Sequence, residues 1–188
     1  AKVKHGLGMF ASAFIKTLPL VPVEDEGRLH DPRIKENFII RVFCFYRLGC
    51  LLRERFSIGK LATFHTKHKF LLLSHSRKHY DTMGQLVANA QSLKLEELKA
   101  RYSNLFMEAL TYKSTPKKNI DVLLHMMRFL KKILTRSEKE DILATIGDYR
   151  KKLLPLLVPV TLIRHQVNKH NVEYLLGQIY LNPHPKEL

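Results

Sequence analysis

The stretch Ser57-Ile58-Gly59-Lys60-Leu61-Ala62-Thr63-Phe64-His65-Thr66-Lys67-His68-Lys69-Phe70-Leu71-Leu72-Leu73-Ser74-His75-Ser76-Arg77-Lys78-His79-Tyr80 decides the fold. Its apolar and histidine positions recur at helical spacing, and Ser57 can cap a helix over 58–80. At about 100° per residue, His65, His68, His75 and His79 fall within an arc of roughly 80°. Leu61 and Leu72 share that arc, Phe64 and Leu71 border it, and Lys60, Lys67, Ser74 and Lys78 face the other way. Four imidazoles therefore point with the apolar stripe, toward a core or a cleft.

Helical patterns continue on both sides. Asp31-Pro32 offers an N-cap and a first-turn proline for a helix over 32–54, with Ile34, Phe38, Val42, Phe45 and Leu48 on one stripe. A short helix is expected over 83–90, continuous with the preceding one if Gly84 is tolerated. Another follows over 95–111, with Leu98, Tyr102, Leu105, Phe106 and Ala109 together. Residues 113–118 read as a loop. A helix over 120–133 carries Val122, Met126, Phe129 and Ile133, and Ser137-Glu138-Lys139-Glu140 reads as a capping box opening a helix to about Lys152. Pro159 can begin a helix to about Asn168, and Asn171 can cap a last one to about Tyr180. Ahead of residue 31, Leu18-Pro19-Leu20-Val21-Pro22-Val23 reads as an irregular run or edge strand. The expected fold is all-α, a compact multi-helix domain with a short irregular or edge-strand N-terminal segment.

The chain has 188 residues, with 32 Lys and Arg against 17 Asp and Glu and a net charge of +15. The two halves carry +9 and +6, so the positive field is spread along the chain rather than held in a tail. Such a field attracts polyanions, and RNA, a nucleotide or single-stranded DNA is the expected partner. The plainer alternatives are a basic protein with no such partner, or a face that docks on an acidic protein. Eight glycines, eight prolines and two cysteines exclude collagen-like and disulfide-rich classes. Cys44 and Cys50, six apart, match no metal spacing and read as buried thiols of a reducing compartment. The longest uncharged apolar run, residues 153–163, holds 11 residues and two prolines, too short to span a membrane. Lys2 and Lys4 precede an apolar stretch, but Lys16 interrupts it and no cleavage site follows, so the cytoplasm is expected. The first residue is Ala1 rather than Met, which suggests a piece of a longer product.

The histidine seam admits two uses. It can line a polar pocket that binds a base or phosphate, moves protons or holds a metal. It can equally make helix–helix contacts with each imidazole hydrogen-bonded. His75 and His79 have the i, i+4 spacing of a helical metal pair, yet no acid shares the arc and no HExxH occurs. His125, and His165 beside Arg164, are further candidates to complete a pocket. No GxSxG, no Cys–His pair with an orienting acid and no glycine-rich phosphate loop is present, so a self-sufficient enzyme is not expected.

The run Phe64-His65-Thr66-Lys67-His68-Lys69, with His75-Ser76 and Tyr80, resembles the YbgA-type helical domain, a family of unknown function. Phe106-Met107-Glu108-Ala109-Leu110, Val122-Leu123 with His125, Lys131-Lys132, Pro159-Val160-Thr161-Leu162 with His165, and Gln178-Ile179-Tyr180-Leu181 before Pro183-His184-Pro185 continue the match. It covers residues 57–188. Asn119, Ile120, Asp121, Leu124 and Arg128 depart from the family pattern, Arg128 standing where that pattern has a glycine. Residues 1–52 resemble instead the C-terminal end of a thiouracil-desulfurase-type (TudS) domain, through Gly6-Leu7-Gly8-Met9-Phe10-Ala11, the run from Pro22 to Pro32, Glu36-Asn37-Phe38 and Arg41-Val42-Phe43. That resemblance implies a remnant over 1–31, a connecting helix over 32–56, and a [4Fe–4S] cluster held by cysteines upstream of Ala1, with none in this chain. Together the two resemblances imply an accessory module that presents a thiolated nucleobase, nucleotide or RNA to an iron–sulfur desulfurase-like domain in cis or trans. Lys67, Lys69 and Arg164 would then contact phosphate, and His65, His68, His75 and Tyr80 the base. The alternatives are histidine-based acid–base or metal-assisted chemistry, or a purely structural docking domain.

Overall fold

The computed structural model describes residues 8–53 and 55–185. Gly6, Leu7 and the early lysines lie outside them, as does Glu54, the expected end of the first long helix. Ten α-helices and no strand are found among the described residues. They are α1 (Met9–Thr17), α2 (Pro32–Arg53), α3 (Ile58–Lys67), α4 (Lys69–His75), α5 (Arg77–Ala88), α6 (Leu95–Thr111), α7 (Pro116–Leu130), α8 (Arg136–Arg150), α9 (Leu157–Lys169) and α10 (Glu173–Leu176). Short 3-10 turns cover Gly27–His30, Ala90–Ser92 and Ile179–Leu181. The fold is all-α, and residues 18–23 form an irregular run rather than a strand.

The helix expected over 58–80 is three helices. At His68 the backbone turns into the bridge region (φ −95°, ψ 2°), and the ring Nδ1 donates back to the Phe64 carbonyl at 2.8 Å. A side chain bonded to the carbonyl one turn earlier competes with the helical ladder and bends it. At Ser76 the backbone becomes extended (φ −151°, ψ 104°), and Ser76 Oγ accepts from His79 N as the N-cap of α5. Gly84 then sits inside a continuous α5, so the break falls at Ser76 and not before Met83.

These breaks let the chain wrap. A straight helix over 58–88 would run about 45 Å. Cut into three, it lays α3, α4 and α5 around their neighbours, with α4 and α5 both against α6. The seven-residue α4 buries Phe70, Leu71, Leu72, Ser74 and His75, touching α5 and α6 on one side and α7 on the other. The remaining helices α7, α8 and α9 pack on one another. Cys44, Leu48 and Leu51 of α2 lie in the same core as Leu61, Phe106, Leu123 and Ile163. The C-terminal segment closes the assembly. Tyr180 donates to Asn119 Oδ1 at 3.1 Å, Asn119 Nδ2 donates to Tyr149 Oη at 3.3 Å, and Gln178 Nε2 donates to the Thr66 carbonyl at 3.0 Å.

Several boundaries move for local reasons. Asp31 caps α2 as expected, accepting from Arg33 N at 2.8 Å. Helix α7 begins four residues early because Thr115 caps it and Pro116 occupies the first turn. Its buried residues are Asn119, Val122, Leu123, Met126, Met127 and Leu130, so Phe129 and Ile133 lie off the core, 38% and 42% exposed. Pro159 falls in the first turn of α9, where a missing N–H costs nothing. Asn171 has φ 47° and ends α9 instead of capping a long last helix, leaving only α10 and a 3-10 turn. Helix α1 occupies residues where no helix was expected.

The capping box of α8 is built on Thr135, two residues before the expected Ser137: Glu138 N donates to Thr135 Oγ1, and Thr135 N donates to Glu138 Oε2 at 2.8 Å. Thr135→Ala should therefore lower stability by about 1 kcal/mol in urea denaturation, while Ser137→Ala stays within about 0.5 kcal/mol of the parent.

Candidate functional site

The four seam histidines are all buried, and three of them sit directly against α6. His65 Nδ1 shares a hydrogen bond of 3.2 Å with Tyr102 Oη, and its ring stacks on Tyr80 at 5.0 Å with the planes 7° apart. His68 lies between Phe64, 4.0 Å away, and the edge of Phe106, 5.2 Å away. His75 Nδ1 donates to the Tyr112 carbonyl just past the end of α6, at 2.7 Å. His79 Nδ1 pairs with Ser76 Oγ at 2.7 Å, and its Nε2 lies 3.4 Å from Glu108 Oε1. The imidazoles thus come from three helices and a junction, and each is held by its own partner.

Desolvation sets their charge. Burial pushes His65 down to about 4, His68 to about 3 and His75 to about 4, against which the backbone hydrogen bonds of His68 and His75 act only weakly. These three are neutral at pH 7 and offer no cation to a phosphate. His68 Nε2 is buried without a hydrogen-bond partner. The supposed metal pair is split by the break at Ser76, with the Nδ1 atoms of His75 and His79 already engaged. Among the described residues, no group of three or more His, Cys, Asp and Glu side chains is arranged to hold a metal ion. Cys44 is buried, its thiol pushed up to about 12 by desolvation, and Cys50 is half-buried six residues along the same helix. Two such cysteines do not fit an iron–sulfur cluster, which needs several thiolates.

Ser76, His79 and Glu108 form a line of hydroxyl, imidazole and carboxylate at the start of α5. The Ser76 hydroxyl is already the helix cap, which accounts for its position without any chemistry.

A different surface gathers the remaining candidates. On α7, His125 and Phe129 stack at 5.9 Å with planes 21° apart, and Phe129 stacks in turn on Tyr174 of α10 at 4.9 Å and 21°. Buried Phe70 supports all three rings edge-on from below. Lys69 Nζ lies 5.5 Å from the Phe70 centroid and 5.9 Å from that of Tyr174. The His125 ring is held below its ordinary range first by partial burial and then by the charges of Lys69, Arg128 and Arg77. Three cations therefore surround an exposed aromatic stack. Arg128, where the sequence resemblance leads one to expect a glycine, is one of them. Arg77 also reaches Asp81 at 3.7 Å, a long and exposed pair that leaves its charge available.

The other expected residues divide. Lys69 and His125 belong to this face, and exposed Lys67 lies beside Gly177 at the end of α10. Tyr80 joins the two regions, stacked on His65 while Tyr174 and Asp81, after burial, help push its phenol up. Arg164 is tied to the C-terminal segment, donating to the Leu181 carbonyl at 3.3 Å and Asn182 Oδ1 at 2.8 Å. His165 is exposed on α9. Phe129, Tyr174, Arg77 and Arg128 were not among the expected site residues. Phe129 was read as core, and nothing local in the sequence pairs it with Tyr174, 45 residues on.

The neutral seam has a measurable consequence. An unfolded chain takes protons on these histidines near pH 6.5 and the folded one only near 3–4, so unfolding absorbs protons between. Stability is complete above about pH 6.5 and falls as the pH drops toward 4, by at most roughly 4 kcal/mol per pH unit for three groups. In His68→Leu, urea denaturation between pH 7 and pH 5 should show this slope reduced by about one proton.

The chain matches a family described as "Protein of unknown function (DUF1722)" over residues 69–185, from α4 to the C-terminal segment. It is similar to "Uncharacterized protein YbgA" of Escherichia coli (strain K12), with 26% identity over 155 residues that span 82% of this chain and 92% of that protein. No solved structure matches the chain. The family match takes in α4 to α10 and with them the whole aromatic–cationic face, and the chain belongs to the DUF1722 family.

Proposed function

We propose that this protein is an accessory binding module that holds a nucleotide or single-stranded nucleic acid on the face formed by α4, α7 and α10. The observation that carries this is the His125–Phe129–Tyr174 stack bordered by Lys69, Arg77 and Arg128. Stacked rings offer a platform to any base, and flanking cations follow the phosphates, which is how proteins hold single strands without strict sequence preference. The overall charge of +15 draws such a ligand in. Phe70 supports the platform from within the core, and Tyr80, stacked on His65, bridges core and face.

The resemblance of residues 1–52 to a TudS-type domain supports a more specific role: delivery of a thiolated nucleobase to an iron–sulfur desulfurase-like partner, in cis or in trans. Cys44 and Cys50 do not fit a cluster, so the desulfurating group would belong to that partner. Histidine-based acid–base chemistry is a second reading, favoured by the Ser76–His79–Glu108 line alone. A fluorophosphonate probe that labels Ser76 would support it. The packed seam also suits a docking domain that only stabilises its neighbour.

Fluorescence anisotropy with a labelled oligouridylate across a potassium chloride series tests the leading proposal. Three phosphate contacts predict a log–log salt slope of about −2. Phe129→Ala with Tyr174→Ala should weaken binding roughly 5- to 150-fold if one stacked base is lost, at about 1–3 kcal/mol per base. The NMR titration of His125 should also move upward on binding, because a phosphate offsets the cations that hold it down. Binding that ignores salt, or that ignores the loss of both rings, would remove this function.

A further inference from the structure

The irregular segment after α1 leaves a cleft over α2 and α6. Two adjoining cavities, about 290 and 580 Å³, share Pro19, Leu20 and Asn104 and form one groove. The smaller holds Arg41 of α2 with Glu108 and Thr111 of α6. The larger is walled by Leu20, Phe45 and Leu52, with Ser103 at its side. These volumes fall in the size range of small-molecule sites, and the paired Glu96 and Lys99 sit at the rim of the larger one.

The polar groups in the groove are incompletely satisfied. Arg41 Nε and Ser103 Oγ are both buried without a hydrogen-bond partner, and Ser103 is only 2% exposed. Both atoms belong to residues that line the groove, and an orphaned buried donor or hydroxyl costs about 1–3 kcal/mol. Arg41 and Glu108 line the same cavity without pairing with each other; the Glu108 side chain is 56% exposed, with Oε1 3.4 Å from His79 Nε2. Burial pulls the Arg41 guanidinium down, with Glu24 as the charge that opposes this. A cation and an anion set apart in one cavity, beside an apolar channel, match a ligand that carries both charges on one end and a hydrocarbon on the other.

We propose that this cleft binds a free apolar α-amino acid, its carboxylate on Arg41, its ammonium on Glu108 and its side chain along Leu20, Phe45 and Leu52. Asn104, at the junction of the two cavities, is placed to hydrogen-bond either charged group. The site is separate from the aromatic–cationic face and does not depend on the function proposed for it.

Three probes with the same kind of branched hydrocarbon body decide the matter by isothermal titration against the whole chain. L-Leucine carries both charges, 4-methylpentanoate only the carboxylate, and 3-methylbutylamine only the ammonium. Leucine should bind, and each single-charge probe should bind at least about tenfold more weakly, as loss of a charged hydrogen bond requires. Arg41→Gln and Glu108→Gln should each weaken leucine by a similar factor. No heat from millimolar leucine, or equal binding of all three probes, overturns the proposal. Those two outcomes are read on the unmodified chain, so they stand even if a variant folds poorly.

Discussion

The contact of α6 with the segment that carries four histidines is the constraint on which the rest of the structure depends. Helix α6 presents buried Leu98, Tyr102, Phe106 and Leu110 along one side, and α3, α4 and α5 are folded around it. A helix that passes its neighbour in a straight line touches it over a limited length. The turns at His68 and Ser76 extend that contact, and the residues that make the turns are the ones whose side chains bond the backbone locally. Polar atoms in this interface are tolerated because each imidazole has a specific acceptor or donor: Tyr102 Oη, the Phe64 carbonyl, the Tyr112 carbonyl and Ser76 Oγ. The same partners fix where each segment can lie, so the seam specifies one arrangement of α3, α4 and α5.

Neutral imidazoles follow from that burial. A charged ring in this interface would lose hydration without an adequate counter-charge, so the proton leaves. With His65, His68 and His75 neutral, the buried seam contributes little to a positive surface. The cations that matter electrostatically are lysines and arginines at the rim, and where they surround exposed rings the surface acquires a distinct chemistry. On this view the histidines and the aromatic–cationic face are inner and outer parts of one construction. Phe70 of α4 is central to it, its neighbours Leu71 and Leu72 buried in the core while its own ring braces His125, Phe129 and Tyr174.

Periodicity placed α6 to the residue and the start of α2 correctly, because both have strong stripes and unambiguous ends. It merged α3, α4 and the start of α5 because a projection at 100° per residue sees only direction. Two breaks that roughly preserve the facing of the side chains leave no trace in it. The capping box was misplaced because Thr135-x-x-Glu138 and Ser137-x-x-Glu140 both satisfy the pattern, and only the N–H geometry distinguishes them. Over 120–133 the expected stripe holds at Val122 and Met126 and fails at Phe129 and Ile133, since these are as apolar as Met127 and Leu130, which take the core positions instead. That error hid the face: an aromatic at helical spacing is taken as core unless a partner from elsewhere meets it on the surface. Tyr174 is that partner, and its helix of four residues is too short to register as a pattern at all.

Positions that depart from the family pattern gain a physical sense from this arrangement. Asn119 is buried and joins Tyr180 to Tyr149, so a small amide there ties the C-terminal segment to α8 through hydrogen bonds at 3.1 and 3.3 Å. Arg128 is exposed and adds charge beside His125, where a glycine would add none. One substitution therefore acts on the closure of the fold and the other on the surface. If the face holds phosphates, a chain with glycine at 128 loses one cation from its rim and keeps the stack, which separates the electrostatic part of recognition from the stacking part.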